Sequence, residues 1–283
     1  DTMHVVLSAL RDTDQSIQTL ECEFTDDNFI ETQQLRDNLP ISIASGNMHN
    51  FEFRNYCQNL EKHNQCFNFF LQCISGQQKK TKEFEFDTLL PLTVAEADRF
   101  SAAITSNDNI EHLGFVDLSP ILSNGVFSEE GTFEVIFEAV LNNAAITQLF
   151  LYLNATSFRR IVERDCFGTS TLTTNVTLRK LFLGTRIGGE IQQNIQQNIA
   201  YKDEGMNQLT NCLKINKGLR SIYFLGNLVT NVGCRCLLNS MEHNITLSKM
   251  VFSGCDTIKN EEEKKERIVL QSKINSQGQV HKF

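Results

Sequence analysis

Apolar residues recur along this chain in one short pattern, apolar-x-x-apolar-x-apolar, which returns eight times at intervals of about 33 residues. Its copies are Ile17/Leu20/Cys22, Met48/Phe51/Phe53, Thr81/Phe84/Phe86, Ile110/Leu113/Phe115, Ile146/Leu149/Leu151, Leu178/Leu181/Leu183, Leu219/Ile222/Phe224 and Leu247/Met250/Phe252. Only Thr81 breaks the apolar rule. A repeat of this length predicts a stack of one supersecondary unit, in which each copy buries its apolar face against the next.

The segments between the copies have helical spacing. Thr93 and Glu96 form a capping-box signature ahead of an apolar face. Ser128, followed by two glutamates, predicts the start of a helix that buries Phe133, Ile136, Phe137, Val140 and Leu141. Single strands that alternate with helices predict a parallel sheet, since antiparallel neighbours would be joined by hairpins.

Polar turns follow the helices, three residues before the next strand pattern. Asparagine is frequent there, at Asn107, Asn142, Asn216 and Asn244. From Leu219 the chain reads Leu219, Ile222, Phe224, Asn227, Val229, Gly233, Leu237, Met241, Asn244 and then restarts at Leu247. This run resembles the roughly 28-residue, ribonuclease-inhibitor-like form of the leucine-rich repeat, LxxLxLxxNxLxxxGxxxLxxxLxxN. The resemblance covers about residues 3–258 and is sharpest from residue 146 onward.

The resemblance implies an α/β fold, a leucine-rich-repeat solenoid or horseshoe whose curved parallel sheet of about eight strands is backed by helices. It places about eight repeats in 1–258, the first three divergent, and a C-terminal capping helix and tail in 259–283. The strand-end asparagine of the family matches at Asn154 and Asn227, and Cys255 is an accepted substitute. The extra residues in 184–205 predict either a loop that serves binding or a longer helix.

Charge and cysteine content narrow the function classes. The formal net charge is −8, with 16 acidic and 8 basic residues in 1–100 and 18 of each in 101–283. No basic face is visible, so we expect no nucleic-acid partner, and the lack of a long apolar run argues against a membrane span. The 9 cysteines are odd in number. Several, such as Cys22, Cys212 and Cys236, fall on core positions, which favours reduced thiols and a cytoplasmic location, or secretion into a host cell cytosol.

The sequence gives little support for a metal site or for a catalytic site. Cys57, His63, Cys66 and Cys73 have no tight zinc spacing, and Cys66 and Cys73 share a helical face with phenylalanines, so we expect core roles and neither a metal nor a cofactor. His112 is an isolated histidine on a predicted strand face. The sequons at Asn154, Asn175 and Asn244 compete with structural roles, because two of these asparagines occupy turn positions of the repeat. We expect no catalytic residue.

The residues between the apolar strand positions must face the other side of the sheet, which is the concave face in this family. The middle position reads acidic in the first copies and aromatic or apolar in the later ones. The candidate partner-binding residues are Glu21, Glu52, Glu85, Phe150, Tyr152, Phe182, Tyr223, Leu225 and Val251. An exposed apolar ridge predicts a protein partner. The alternatives are that the rings only stabilise the sheet, or that residues 184–205 cover them.

The sequence thus favours a monomeric, non-enzymatic scaffold that binds a partner protein on its concave face. A composition rich in Asn, Gln, Ile and Phe and without Trp suggests a protist or an intracellular bacterium, so the scaffold could be a secreted bacterial effector acting on host proteins. A regulatory or assembly subunit of a eukaryotic complex is the alternative. A GTPase-activating protein of the leucine-rich-repeat type, with Arg54 as its arginine, is a further one.

Overall fold

The computed structural model describes residues 19–25, 50–75, 81–88, 90–116, 129–186, 195–225 and 229–253. Its strands are β1 Thr19–Phe24, β2 Asn50–Asn55, β3 Glu83–Thr88, β4 His112–Val116, β5 Gln148–Asn154, β6 Lys180–Arg186, β7 Ser221–Leu225 and β8 Lys249–Ser253. Its helices are α1 Leu60–Ser75, α2 Val94–Thr105, α3 Thr132–Asn142, α4 Ala155–Glu163, α5 Ser170–Thr174, α6 Ile195–Leu213 and α7 Asn231–Met241, with a 3-10 turn at Cys166–Gly168. The described residues therefore hold eight strands and seven α-helices.

All eight strands form one open parallel sheet in sequence order, β1 to β8. The register aligns the second apolar position of each copy of the pattern, running Leu20, Phe51, Phe84, Leu113, Leu149, Leu181, Ile222 and Met250 across the sheet. The predicted α/β class and the parallel pairing are confirmed, because parallel strands need the crossover helices that the intervening segments supply.

The core lies between the sheet and the helices. Strand residues alternate between buried and partly exposed, most clearly along β2 and β5. The buried strand residues and the buried helix residues form one apolar cluster. Phenylalanine dominates this cluster in the first part of the chain, where the rings of Phe53, Phe70 and Phe86 have centroids 4.7 to 5.9 Å apart. Leucine dominates it from β5 onward.

Asparagine side chains join the turns that precede the strands. In each such turn the side-chain oxygen accepts from two backbone N–H groups, and the amide nitrogen donates to a carbonyl of an earlier turn or helix end. Asn143 Oδ1 accepts from the N–H groups of Ala145 and Ile146, while Nδ2 donates to Ile104 O and Asn107 O. This asparagine ladder consists of Asn107, Asn143, Asn175, Asn216 and Asn244.

The ladder corrects one prediction and extends another. Asn142, predicted for the turn, is instead the exposed last residue of α3, and its neighbour Asn143 occupies the ladder position. The reason is distance along the chain, since Asn143 is the residue that lies three before the strand pattern at Ile146. Asn175 belongs to the ladder as well, although the sequence marked it only as a sequon.

The predictions made for the individual helices are partly confirmed and partly corrected. The capping box of Thr93 and Glu96 is present at the start of α2. Helix α3 begins at Thr132 rather than near Ser128, because Gly131 has a φ of 84° and a left-handed residue cannot continue a right-handed helix. Its expected face is buried as predicted. Part of 184–205 is helical, since α6 begins at Ile195. Residues 259–283, with the expected capping helix, lie outside the described residues.

The cysteines lie where the core needs small apolar groups. None of the 8 in the described part is in a disulfide, and all but Cys236 are buried. Cys22 and Cys212 occupy core positions as expected, whereas Cys236 is partly exposed and its neighbour Cys234 is the buried one. Burial raises the pKa of Cys22 to about 12 and that of Cys212 to about 11. Thiols held neutral in this way are poor nucleophiles.

Candidate functional site

The face of the sheet that points away from the helix-packed core is called the open face here. Its middle row crosses all eight strands in register and reads Glu21, Glu52, Glu85, Gly114, Phe150, Phe182, Tyr223 and Val251. Of their neighbours in sequence whose burial is described, all belong to the core except Phe252, which is only partly buried. The structure thus brings the expected residues onto one surface.

Aromatic rings form a stack on the second half of the open face. The ring of Phe182 lies parallel to that of Tyr223, with centroids 4.2 Å apart and planes 10° apart, and Phe150 follows on the other side at 5.8 Å. The ammonium group of Lys249 lies 5.1 Å from the centroid of Tyr223. The three rings are partly exposed. We call Phe150, Phe182 and Tyr223 the aromatic row.

Gly184 widens this apolar surface. A Cβ atom at Gly184 would lie 2.3 Å from Cδ2 of Tyr152 and 3.2 Å from Cβ of Leu225. The missing side chain therefore lets the ring of Tyr152 lie across β6 towards Leu225. Tyr152 also packs near Phe150, at 6.3 Å between centroids. Gly184 is not among the residues predicted for the site, although a glycine inside a strand pattern is itself a signal of close approach.

Carboxylates cover the first part of the open face, and one arginine lies among them. The guanidinium of Arg54 contacts Glu21 Oε1 at 2.5 Å and Glu52 Oε2 at 3.1 Å. Burial raises the pKa of the Glu85 carboxyl, and the charge of Glu52 raises it further, while Arg54 opposes the rise. Two carboxylates therefore hold Arg54 on the open face.

A polar row continues from this acidic part towards the aromatic row. His112 Nδ1 lies 2.6 Å from Glu83 Oε1, and its other ring nitrogen contacts the side-chain amide of Gln148. His112, which the sequence shows as isolated, is therefore held between neighbouring strands.

A separate polar contact lies at the ends of β2 and β3. Tyr56 donates a hydrogen bond of 2.7 Å to Asp87 Oδ2, and burial together with this bond raises the pKa of Tyr56.

The suspected zinc residues are part of the core. Cys57 Sγ and Cys66 Sγ are 3.9 Å apart and both are buried. His63 is 1% exposed, and its Nε2 lies 3.6 Å from Glu96 Oε1. Burial raises the pKa of Glu96, but the nearby His63 ring and the hydrogen bonds from Thr93 lower it by more, so the net shift is downward. Among the described residues, no group of three His, Cys, Asp or Glu side chains is arranged to hold a metal ion.

The three sequon asparagines have structural roles. Asn154 caps α4 by accepting a hydrogen bond of 2.8 Å from the backbone of Ser157. Asn175 and Asn244 belong to the asparagine ladder and are 8% and 2% exposed. A glycan on either ladder amide would remove a donor that the turn uses, so the folded chain accounts for these motifs without glycosylation.

Comparisons with known proteins give little beyond this geometry. No protein-family model matches the chain, and no curated protein matches it. Among solved structures, the chain is similar to "Leiomodin-1 Actin-Binding Site 2 (ABS2)", at 12% sequence identity and a TM-score of 0.43. That match covers 67% of this chain and 94% of the other. Within the described residues, no helix combines the length and the apolar character that crossing a bilayer demands.

Proposed function

We propose that this protein is a non-enzymatic interaction scaffold, a leucine-rich-repeat solenoid that binds a partner protein across its open face. The observation that carries the proposal is the aromatic row, in which three partly exposed rings contact one another in register on neighbouring strands. A chain gains nothing in solubility from rings on a sheet surface, whereas aromatic side chains are enriched where proteins bind one another.

The neighbours of the row support a binding surface rather than a closed core. Leu225 and Val251 extend the apolar area on β7 and β8, and both remain partly exposed. Tyr152 adds a ring with a polar tip, which suits a contact that is buried on one side and wet at the rim. Together these side chains form an apolar centre next to charged residues, the usual arrangement of a protein interface.

Charge makes the two ends of the proposed site different, one acidic and the other apolar. The acidic part on β1 to β3 carries Glu21, Glu52 and Glu85, and Arg54 balances only part of that charge. A partner segment that crosses the strands would place basic side chains over this part and apolar ones over the aromatic row. Charge complementarity of this kind mainly accelerates association, while buried rings slow dissociation.

The experiment starts by capturing partners from cell extract and identifying them with wild type and with the double variant Phe182→Ala/Tyr223→Ala. The affinity of an identified partner is then measured by biolayer interferometry for each single variant. We expect Tyr223→Ala and Phe182→Ala each to weaken binding by about 2 kcal/mol or more, because such rings behave as hot spots.

Ile245→Ala is the matched control. Ile245 is 66% exposed and apolar, but it lies in the turn before β8 and not on the open face. We expect this variant to bind like wild type, within about 0.5 kcal/mol. Partners that bind the double variant as tightly as wild type would exclude the open face as their site and would contradict the proposal.

A further inference from the structure

A row of cationic side chains borders the aromatic row at the starts of β6, β7 and β8. Two positions define this border on each strand, the first strand residue and the residue before it. Across the three strands these positions read Arg179, Lys180, Arg220, Ser221, Ser248 and Lys249. Four of the six are cationic and none is acidic. We call Arg179, Lys180, Arg220 and Lys249 the cationic edge.

The register of the sheet brings these cations together from three repeats. Lys180 pairs with Ser221, and Ser221 pairs with Lys249, so the two lysines lie two strands apart on the open face. Because neighbouring parallel strands are about 4.8 Å apart, the Cα atoms of the two lysines are about 10 Å apart. The sequence supplies little opposing charge here, since residues 205–253 contain one acidic residue, Glu242, which follows the last residue of α7.

The same border is neutralised in the first half of the sheet. Lys82 precedes β3 as Arg179 precedes β6, and its Nζ lies 2.5 Å from Glu111 Oε1 at the equivalent position before β4. Arg179 instead donates to Gly218 O at 3.2 Å, and Arg220 makes the equivalent bond to the next turn. A carbonyl oxygen is neutral, so these hydrogen bonds position the guanidinium groups without cancelling their charge.

The charges of the cationic edge are available to a partner. Within the part of the chain that the structure describes, no carboxylate lies within ion-pair distance of its four members. Lys249 and both arginines are exposed, and Lys180 is partly exposed. Cations of this kind beside an apolar surface favour a partner that brings carboxylates, because charge complementarity steers association and discriminates against other partners.

The aromatic row presents ring edges to such a partner. Phe182 stacks on Tyr223 from the side of β6, and Nζ of Lys249 on β8 lies over the Tyr223 ring, 5.1 Å from its centroid. Phe182 itself lies between Tyr223 and Phe150. The faces of these two rings are therefore occupied by their neighbours. A ring edge is electropositive and attracts carboxylates, whereas a nucleobase binds by stacking on a ring face, so the arrangement favours an acidic protein segment over nucleic acid.

We propose that the partner of the open face carries an acidic segment, whose carboxylates bind the cationic edge while its apolar side chains pack on the aromatic row. The inference rests on the proposed function, because it specifies the partner chemistry of the same face. Carboxylates on β1 to β3 repel such a segment, and the cationic edge attracts it. The two halves of the face thus admit the partner in one orientation, with its acidic segment over β6 to β8.

The test is a titration with the peptide Glu-Glu-Leu-Phe-Glu-Glu, blocked at both ends, followed by the anisotropy of an attached neutral fluorophore. We expect saturable binding in low salt, with a dissociation constant on the order of 0.1 mM for so short a probe. A peptide with glutamine at every glutamate has the same length and the same apolar side chains. We expect it to bind about tenfold more weakly, and equal binding of the two peptides would overturn the proposal.

A pair of double variants locates the binding site of the acidic peptide. Lys180→Gln/Lys249→Gln removes two charges from the cationic edge, and we expect it to weaken binding by about fivefold or more. Lys214→Gln/Arg235→Gln is the matched control, because it removes two charges from exposed residues next to α6 and on α7. This control should bind like wild type. Equal losses for the two double variants would show that only net charge matters and would contradict the proposal.

An eight-nucleotide oligouridylate with the same fluorophore tests nucleic acid as the competing class of ligand. Tighter binding of the oligouridylate than of the acidic peptide, with loss of that binding in Lys180→Gln/Lys249→Gln, would assign the cationic edge to nucleic acid and overturn the proposal. Absence of saturable binding of the acidic peptide at about 5 mM in low salt would contradict it as well.

A partner captured on the open face separates this inference from the proposed function. If Phe182→Ala/Tyr223→Ala weakens binding of that partner and Lys180→Gln/Lys249→Gln does not, the open face is the binding surface and the acidic segment is wrong. Weaker binding by both double variants supports both proposals. If the acidic peptide binds at the cationic edge while the captured partner binds Phe182→Ala/Tyr223→Ala as tightly as wild type, the proposed function fails alone.

Discussion

The two halves of the sheet place their aromatic rings on opposite sides. On β1 to β4 the phenylalanines point into the core, where Phe51, Phe53, Phe84 and Phe86 are at most 2% exposed, and carboxylates occupy the open face. On β5 to β8 the core positions are mainly leucine, and the rings of the aromatic row lie on the open face. The strand geometry is the same in both halves.

This difference shows that position within the strand, rather than composition, decides what a ring does. Successive strand residues point to opposite sides of a sheet, so a shift of one position moves a phenylalanine from the core to the surface. Phe86 in the first half fills the core, while Phe182 in the second half is available to a partner. The comparison therefore makes quantitative predictions for the same substitution in the two halves.

The largest expected effect is on folding stability. Phe86→Ala should lower the free energy of unfolding by about 3–5 kcal/mol, because the ring is buried and packs on Phe53, Phe70 and Phe100. Phe182→Ala should cost only about 1 kcal/mol, mostly from the lost stacking on Tyr223. Urea unfolding followed by circular dichroism measures both. Similar losses for the two variants would mean that the open face is covered or that the register differs.

The turns provide a contrast within one pair of neighbours. Asn143→Ala removes two accepted and two donated hydrogen bonds of the asparagine ladder, and should cost about 1–3 kcal/mol of unfolding free energy. Asn142→Ala changes an exposed residue at the end of α3, and we expect less than about 0.5 kcal/mol. Thermal unfolding of both variants checks the assignment, and a larger loss for Asn142→Ala would reverse it.

The two halves should also differ in how they affect binding kinetics. Replacing Glu21, Glu52 and Glu85 together with glutamine should slow association with a basic partner by about tenfold in low salt, and change dissociation little. Phe182→Ala should instead accelerate dissociation. Stopped-flow mixing at two salt concentrations separates the rates. An association rate that is insensitive to both salt and charge would remove the acidic part from the proposed site.

The smallest expected effect concerns pH. Because the folded state raises the pKa of Glu85, mainly by burial and then through Glu52, its protonated form is favoured by folding. Wild type should therefore lose stability as the pH rises from the ordinary carboxyl pKa through the raised value. Glu85→Gln should match wild type below this window and exceed it by about 0.5 kcal/mol above it, a small gain since the site is partly exposed. Denaturant unfolding at several pH values measures the gap, and a constant difference at all pH values would contradict it.

Apolar spacing predicted much of the fold because burial against a single core requires that spacing. The strands and the separation of Leu181 from Phe182 follow from a period of two against one core, and the parallel pairing follows from the helices between the strands. The start of α3 was misplaced because a left-handed glycine at residue 131 leaves no mark in the apolar pattern. The turn residue was misplaced because Asn142 was chosen over its identical neighbour Asn143, which is the asparagine that lies three residues before the strand pattern.

The candidate sites were less accessible to sequence reasoning because they depend on lateral contacts. Arg54 pairs with Glu52, two residues away on the same face of its own strand, and with Glu21 on the neighbouring strand, and the second pair requires the register to be known. The hydrogen bond from the Gln208 side chain to Val162 O likewise joins residues far apart in sequence. No spacing rule gives the direction of a side-chain amide.

The asparagine ladder defines the repeating unit by which this chain can be lengthened or shortened. Each ladder residue occupies an equivalent place, so a deletion of residues 144–175 would join Asn143 directly to the strand pattern that begins at Leu178, by way of Val176. The chain on either side would meet the same turn geometry as before. We therefore expect the fold to accept gains and losses of whole modules, whereas shorter deletions would interrupt the amide chain. An evolving lineage could lengthen or shorten the open face in this way to fit partners of different size.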